Sequence, residues 1–341
     1  MYFAAFFLTS CSLHKCDIEQ IKHHEQSCIN IGQVFDLSYV IGTHIDPSSK
    51  LAVLNISDVQ QLLELLKYFV EDKKSKLTDS KYDGIADSVV DIICKYGIQY
   101  LPVLKYLIRK GVKLHPRLVQ RSVNRDHASL DVLRFLLDEC KLDPNYVTAS
   151  GHTALLEAVV HLDDASFVRE LIKHHVDVNV GRPIFTAALW HNADSFEALL
   201  ASGADLSNMT TKTCRTWGLL HAASMSGPCC CFLGSGQAHI VKKLLELGFD
   251  VNEQDSDGKT PLHYAYRSFI VQDSLQAITI LLTTKGVNPS IKDKDGKTPY
   301  ENIKETGWPE KVRLIKTLED NIYRSMTSDK NRPVAKALLG R

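Results

Sequence analysis

The sequence predicts an all-α fold, a solenoid of helix–turn–helix units with short β-turn fingers between them. Three observations carry this prediction. Asp257, Gly258, Lys259, Thr260, Pro261, Leu262, His263, Tyr264 and Ala265 spell a tight turn delivered into a helix start. The same turn and start recur at Asp295, Gly296, Lys297, Thr298, Pro299 and Tyr300. A second kind of amphipathic helix, ended by Gly or His, recurs between the starts. In the first stretch Asp257–Gly258 is a turn dipeptide, and Gly258 can take a positive φ without steric penalty. Thr260 is an N-cap residue, whose hydroxyl accepts from an orphan backbone N–H. Pro261 occupies the first helical position, where a missing N–H costs nothing. Leu262 faces inward, and Ala265 is small enough for a second helix to approach.

Weaker copies lie upstream. Leu219, Leu220, His221, Ala222 and Ala223 keep the His and the small residue, with Trp217 and Gly218 where Thr-Pro would stand. Gly151, His152, Thr153, Ala154, Leu155 and Ala158 keep the Gly, the Thr and the Ala. Pro183, Ile184, Phe185, Thr186, Ala187 and Ala188 form the most divergent copy. Taken as one column, Ala158, Ala188, Ala223, Ala265 and Ile303 stand 30, 35, 42 and 38 residues apart. The second helices recur over 168–179, 196–207, 240–252 and 277–289, each followed by a short Val/Asp/Asn turn. Gly203, Gly248 and Gly286 fit the left-handed position after a helix end. The run Thr260 to Ala265 resembles the ankyrin repeat, whose signature is T-P-L-H-x-A at a period of about 33 residues. Spacings above that period are expected to be loop insertions.

Before the repeats, residues 1–11 are apolar except at the end. Leu8, Thr9, Ser10 and Cys11 resemble the lipobox of bacterial lipoproteins, which implies lipid on Cys11. The competing reading is a buried or disordered apolar N-terminus. Residues 12–56 are polar and His-rich, and read as a linker. Cys11, His14, Cys16, His23, His24 and Cys28 match no paired zinc spacing. Residues 57–147 read as helices. Ser57 and Asp58 cap one that carries Val59, Leu62, Leu63, Leu65, Leu66 and Phe69 at helical spacing. A helix pair flanks Gly97 and is closed by Gly111. A further pair covers 118–123 and 130–137. These are divergent repeats or a separate cap over the first clear repeat. Residues 148–324 hold the repeat array. Its last helix, near 310–322, is expected to carry Lys311, Arg313, Lys316, Glu319 and Asp320 on an outer face, as a terminal unit requires. Residues 325–341 read as a tail.

Composition narrows the function. Lys+Arg 40 against Asp+Glu 40 leaves no net charge, where nucleic-acid surfaces carry a basic excess. No apolar run approaches the length of a membrane helix, so membrane association is expected only through Cys11. The nine cysteines follow no disulfide framework. Cys229, Cys230 and Cys231 are adjacent, and adjacent side chains rarely converge on one tetrahedral ion. They read as part of a flexible loop over 227–236. No phosphate-binding, dinucleotide, zinc-protease or nucleophile-elbow motif is present. His221 and His263 are expected to be structural, bonding a helix-start hydroxyl and the turn backbone.

The expectation is therefore a monomeric, non-enzymatic module without cofactor that binds another protein. The resemblance implies the surface: a concave groove formed by the fingers and the exposed face of each first helix. Carried onto this chain, that face holds Glu157, His161, Trp190, His191, Met225, Tyr264, Arg267 and Asn302, with Asp255, Asp257 and Lys259 at the finger tips. Gly258, Thr260, Pro261, Leu262, His263 and Ala265 are the structural motif. The alternative is that the repeats target a small catalytic or membrane-attached module near the N-terminus. Localisation follows Cys11: membrane-anchored if acylated, otherwise cytoplasmic or secreted into a host.

Overall fold

The fold is described from a computed structural model, which covers residues 85–125, 127–162, 164–207, 209–210, 216–225, 236–267, 272–305 and 308–327, with helical positions 63 and 67. Cys11, the 12–56 linker, Cys229, Cys230, Cys231 and the tail beyond 327 lie outside the described residues. The chain divides into two compact units, 1–148 and 149–341.

In the first unit, α1 (Ile85–Tyr96) meets α2 (Leu101–Arg109) through Gly97, which stands at φ 110. A shorter pair comes next, α3 (Arg117–Arg121) and α4 (Leu130–Arg134), the latter continuing into a π turn at Phe135–Glu139. The Ser129 hydroxyl caps α4 by accepting Val132 N–H at 3.5 Å. Val89, Val90, Ile93, Val103, Leu104, Leu107, Leu118, Val132 and Leu136 are fully buried together, and Leu63 packs against them. Both expected helix pairs are present, and Gly111 closes α2 at φ 89.

In the second unit the described helices alternate between two rows. The inner row is α5 (Ala154–His161), α7 (Pro183–Leu189), α9 (Leu219–Ser224), α11 (Pro261–Arg267) and α13 (Pro299–Lys304). The outer row is α6 (Ser166–Lys173), α8 (Ala193–Ala201), α10 (Gln237–Glu246), α12 (Gln272–Thr283) and α14 (Pro309–Thr327). Each inner helix packs on its own outer helix and on the next inner one, and each outer helix packs on the next outer one. The small column makes this approach feasible: Ala158, Ala187, Ala188, Ala222, Ala223 and Ala265 are almost wholly buried. The outer row contributes Val168, Leu171, Phe196, Leu199, Ile240, Val241, Leu244, Leu281 and Ile315 to the same core. No single pair could bury both of its apolar sides, so stability accrues between neighbours.

Helix ends agree with the sequence. Gly203, Gly248 and Gly286 take φ of 78, 91 and 87, as the left-handed position after a helix requires. In the first repeat of this unit His175 takes that role at φ 59. After each of the first four outer helices a short Asx turn forms, in which Asp177, Asp205, Asp250 and Asn288 accept the backbone N–H two residues on. The finger before α9 is extended by a two-residue antiparallel pairing of β1 (Met209–Thr210) with β2 (Thr216–Trp217). With Gly218 before it, α9 starts at Leu219 without the Thr-Pro pair.

The terminal helix corrects one expectation. Arg313, Lys316 and Asp320 are exposed as expected, but Lys311 and Glu319 are half-buried. Glu319 turns inward because its Oε1 accepts the hydroxyl of buried Tyr266 at 2.5 Å.

Candidate protein-binding face

Two successive fingers are built alike. Before α11, Asp255 Oδ1 accepts the backbone N–H groups of Asp257 and Lys259 at 2.8 and 2.9 Å. Asp255 N–H donates to Lys259 O, and Gly258 N–H to Asp255 O, each at 2.9 Å. Asp255 Oδ2 accepts the Tyr264 hydroxyl from α11 at 2.5 Å. Before α13, Asp293 Oδ1 accepts Asp295 N–H and Lys297 N–H, both at 3.0 Å, and Oδ2 accepts Asn302 Nδ2–H at 2.6 Å. Burial pushes the Asp293 carboxyl up, but the bonds from Lys297, Asn302 and Asp295 outweigh it and hold it below the usual carboxylate value. The two fingers are also joined. Lys294 N–H donates to Asp257 O at 2.9 Å, and Gln254 Nε2 reaches Gly258 O at 2.7 Å and Lys292 O at 3.2 Å. Gly258 sits at φ 76, and a Cβ there would lie 3.0 Å from Lys294 N.

The residue three after the helix start decides how a repeat grips its successor. In α11 it is His263, whose Nδ1 accepts Thr260 N–H at 3.0 Å and lies 2.9 Å from the Thr260 hydroxyl. Its Nε2 reaches Lys297 O in the next finger at 3.1 Å. In α9 it is His221, held by Gly218 N–H at 3.2 Å and reaching Glu253 O and Lys259 O at 2.9 and 3.0 Å. The lost Thr therefore does not cost His221 its anchor, because the backbone N–H serves instead. In α7 the position is Phe185, and Arg182 takes over the reach. Its guanidinium lies over the Phe185 ring at 4.8 Å and donates to Ser207 O at 2.6 Å and to Asp205 Oδ2 at 3.3 Å. In α13 it is Glu301, which closes a capping box: it takes Thr298 N–H at 2.9 Å, and its own N–H donates to the Thr298 hydroxyl at 3.3 Å.

The residues expected on the groove separate into two sets. His191 is corrected from a groove residue to an internal strut. It is 3% exposed, takes φ 57, and its Nε2 lies 2.9 Å from Met225 O. Asp255 is likewise corrected from a tip to a strut, since its carboxylate is consumed inside its own finger. Tyr264 and Asn302 are half-buried with their polar ends committed to those finger carboxylates. Glu157 is half-buried between His152 at 2.7 Å and His161 at 3.1 Å. Trp190, Met225, Asp257 and Lys259 are half-buried, and Arg267 is exposed at the end of α11. Thr260 is buried, with its hydroxyl on the imidazole. Lys311 stands beside Arg267, and burial together with that like charge pulls its amine down to about 8.

Other contributors were not singled out from the sequence. Asn252 donates to Gly286 O and accepts Asn288 N–H, each at 2.8 Å. Asn179 accepts Asp205 N–H at 2.8 Å. Both stand two residues after an Asp in the recurring Val/Asp/Asn turn, and that recurrence was the available signal. Asp273 caps α10 from α12 by accepting Gln237 N–H at 2.7 Å and Ala238 N–H at 3.3 Å. Nothing local marks it.

Comparison with known proteins agrees with this architecture. The family model of ankyrin repeats in three copies matches residues 119–210 and 208–293, just over half of the chain. An ankyrin repeat protein of Fowlpox virus (strain NVSL) is 32% identical over 138 residues, which is 40% of this chain and 28% of that protein. The Neurogenic locus Notch protein of Drosophila melanogaster is 36% identical over 101 residues, 30% of this chain and 3% of that protein. The chain thus spans under a third of either relative's length. Among solved structures, the human ASB11 ankyrin repeat domain is similar with a TM-score of 0.49 and 23% identity, covering 68% of this chain and 96% of that one. With the family model aligned over the same stacked helices and fingers, this chain belongs to the ankyrin repeat family.

Proposed function

We propose that the array binds a partner protein across its fingers and inner helices, as a monomer and without chemistry of its own. Ankyrin repeats generally mediate protein–protein interaction. The observation that carries the reading is a division of labour on one face. Asp255, His221, His263, Tyr264 and Asn302 are spent on holding fingers to helices, and His191 on holding the end of α9. Trp190, Met225, Lys259 and Arg267 remain wholly or partly at the surface, and aromatic, Met and Arg side chains are the types that dominate interface energies. The mixed charge of Asp257 and Lys259 suits partner selection more than raw affinity. The test is recovery of partners by the full chain, then a binding isotherm with Trp190→Ala, Lys259→Glu and Arg267→Glu combined. Binding lost with the melting curve retained supports the reading. Normal binding by the folded triple variant moves the interface to another surface.

A further inference from the structure

One short stretch breaks the charge balance of an otherwise neutral chain. Residues 109–125 hold six cations, Arg109, Lys110, Lys113, Arg117, Arg121 and Arg125, and no carboxylate. The stretch is the turn between the end of α2 at Arg109 and the start of α3 at Arg117, with α3 itself and the residues after it. The turn is tightly built. Val112 N–H returns to Leu107 O at 3.1 Å, Gly111 stands at φ 89, and Arg117 N–H donates to His115 Nδ1 at 3.1 Å. The His115 ring stands edge-on to Tyr146, with centroids 5.0 Å apart. Arg109, Lys110, Lys113, Arg117 and Arg125 are exposed. Other cations of this unit show the usual way such charge is balanced. Lys105, four residues before Arg109 on α2, is answered by Glu139 at 3.1 Å, and Arg121 by Asp91. Among the described residues, no carboxylate or hydrogen-bond acceptor answers the side chain of Arg109 or Lys113.

We infer that this turn is a docking site for an acidic segment of a partner protein, with Arg109 and Lys113 as its central contacts. The choice of a protein as occupant rests on the protein-binding reading above, and the site adds a second surface, in the unit 1–148. Like charges grouped on one turn repel one another, and carboxylates placed among them relieve that repulsion as they pair. Single surface pairs contribute little, but several acting together steer association and make it salt-dependent. Size and total charge select the occupant. From Arg109 to Arg117 the chain can span no more than about 28 Å, the length of about eight extended residues. A nucleic-acid duplex carries charge every ~1.7 Å along its whole length and is met by a basic excess, whereas this chain has no net charge.

The test is a binding isotherm of the full chain with a capped octapeptide of Glu, set against the Gln octapeptide, at about 50 and about 300 mM NaCl. Binding of the Glu peptide alone, weakened by salt, is expected. Arg109→Glu with Lys113→Glu should weaken it by at least about tenfold. Arg313→Glu with Lys316→Glu makes the same change in net charge on exposed cations of α14, and should weaken it by less than about twofold. The inner-face variant, Trp190→Ala with Lys259→Glu and Arg267→Glu, should also bind the peptide within about twofold. Melting curves are taken first. If the Arg109, Lys113 pair does not fold as Glu, Arg109→Gln with Lys113→Gln replaces it, with a loss of at least about threefold expected. No binding of the Glu peptide, an equal loss in both charge-reversed pairs, or tighter binding of an eight-phosphate oligonucleotide or of anionic vesicles overturns the proposal. A protein partner bound at full affinity by the Arg109, Lys113 variant and lost by the inner-face variant refutes this site while leaving the inner-face reading standing.

Discussion

The Asp255 finger offers a sharp test of how this fold is held together. Its carboxylate gathers two backbone N–H groups and the Tyr264 hydroxyl at 2.8, 2.9 and 2.5 Å. A hydrogen bond to a charged group contributes about 1.5–3 kcal/mol. Tyr264→Phe removes only the hydroxyl and leaves the ring. It should cost about 1.5 kcal/mol, the low end of that range, because Tyr264 is only half-buried. Asp255→Ala removes all three bonds. The two N–H groups sit in a turn that water reaches, so the loss falls well short of three times the single value, at about 2–4 kcal/mol. The double variant should cost little more than Asp255→Ala alone, giving a coupling of about 1 kcal/mol or more. Denaturant unfolding monitored by circular dichroism measures all four corners of this cycle. Neighbour coupling predicts that the loss appears in unfolding of the C-terminal repeats. If the two substitutions add without coupling, or Tyr264→Phe costs under about 0.3 kcal/mol, the finger is not fastened to α11 through this contact.

Other outcomes rest on the same contacts. Thr260→Val should cost about 1 kcal/mol, since it deletes a buried hydroxyl on the His263 ring, and a melting curve checks it. Gly258→Ala should cost at least about 1 kcal/mol, because φ 76 disfavours a side chain and the new Cβ would press on Lys294 N; an unchanged melting temperature would contradict the close approach. Asp293 has a carboxyl held below its ordinary 3.8, so its contribution is present above that value and is lost as pH falls through it. Asp293→Asn should flatten the acid limb of a stability-versus-pH curve below pH 3.8 while lowering stability at neutral pH.

Much of the fold was legible because ankyrin-type units repeat their local chemistry. Thr-Pro starts, Gly ends and the Ala column each have one dominant physical cause, and each was found where expected. The departures come from contacts made far along the chain. Glu319 reads as a surface residue of a terminal helix until Tyr266, on α11, supplies its donor. His191 reads as a groove residue by offset from Trp190, but its positive φ turns the ring under α9. Asp255 sits in a polar turn, yet the turn folds around it, so polarity alone misplaces it. Arg182 carries no signal of its own in the sequence, because its repeat lacks the Thr and the His. It does the work of the His with a longer side chain, and no local pattern announces such an exchange.

The backbone bond from Lys294 N–H to Asp257 O has a consequence for recognition. It sets two adjacent finger tips at a fixed pitch, with no flexible tether between them. A partner that touches Lys259 on one finger and Lys294 on the next therefore meets a rigid ruler. Its second contact forms at a high effective concentration, and only when its own groups match that spacing. Lengthening one finger by a few residues would leave every side chain in place and still abolish such binding, because the pitch rather than the residues would be wrong.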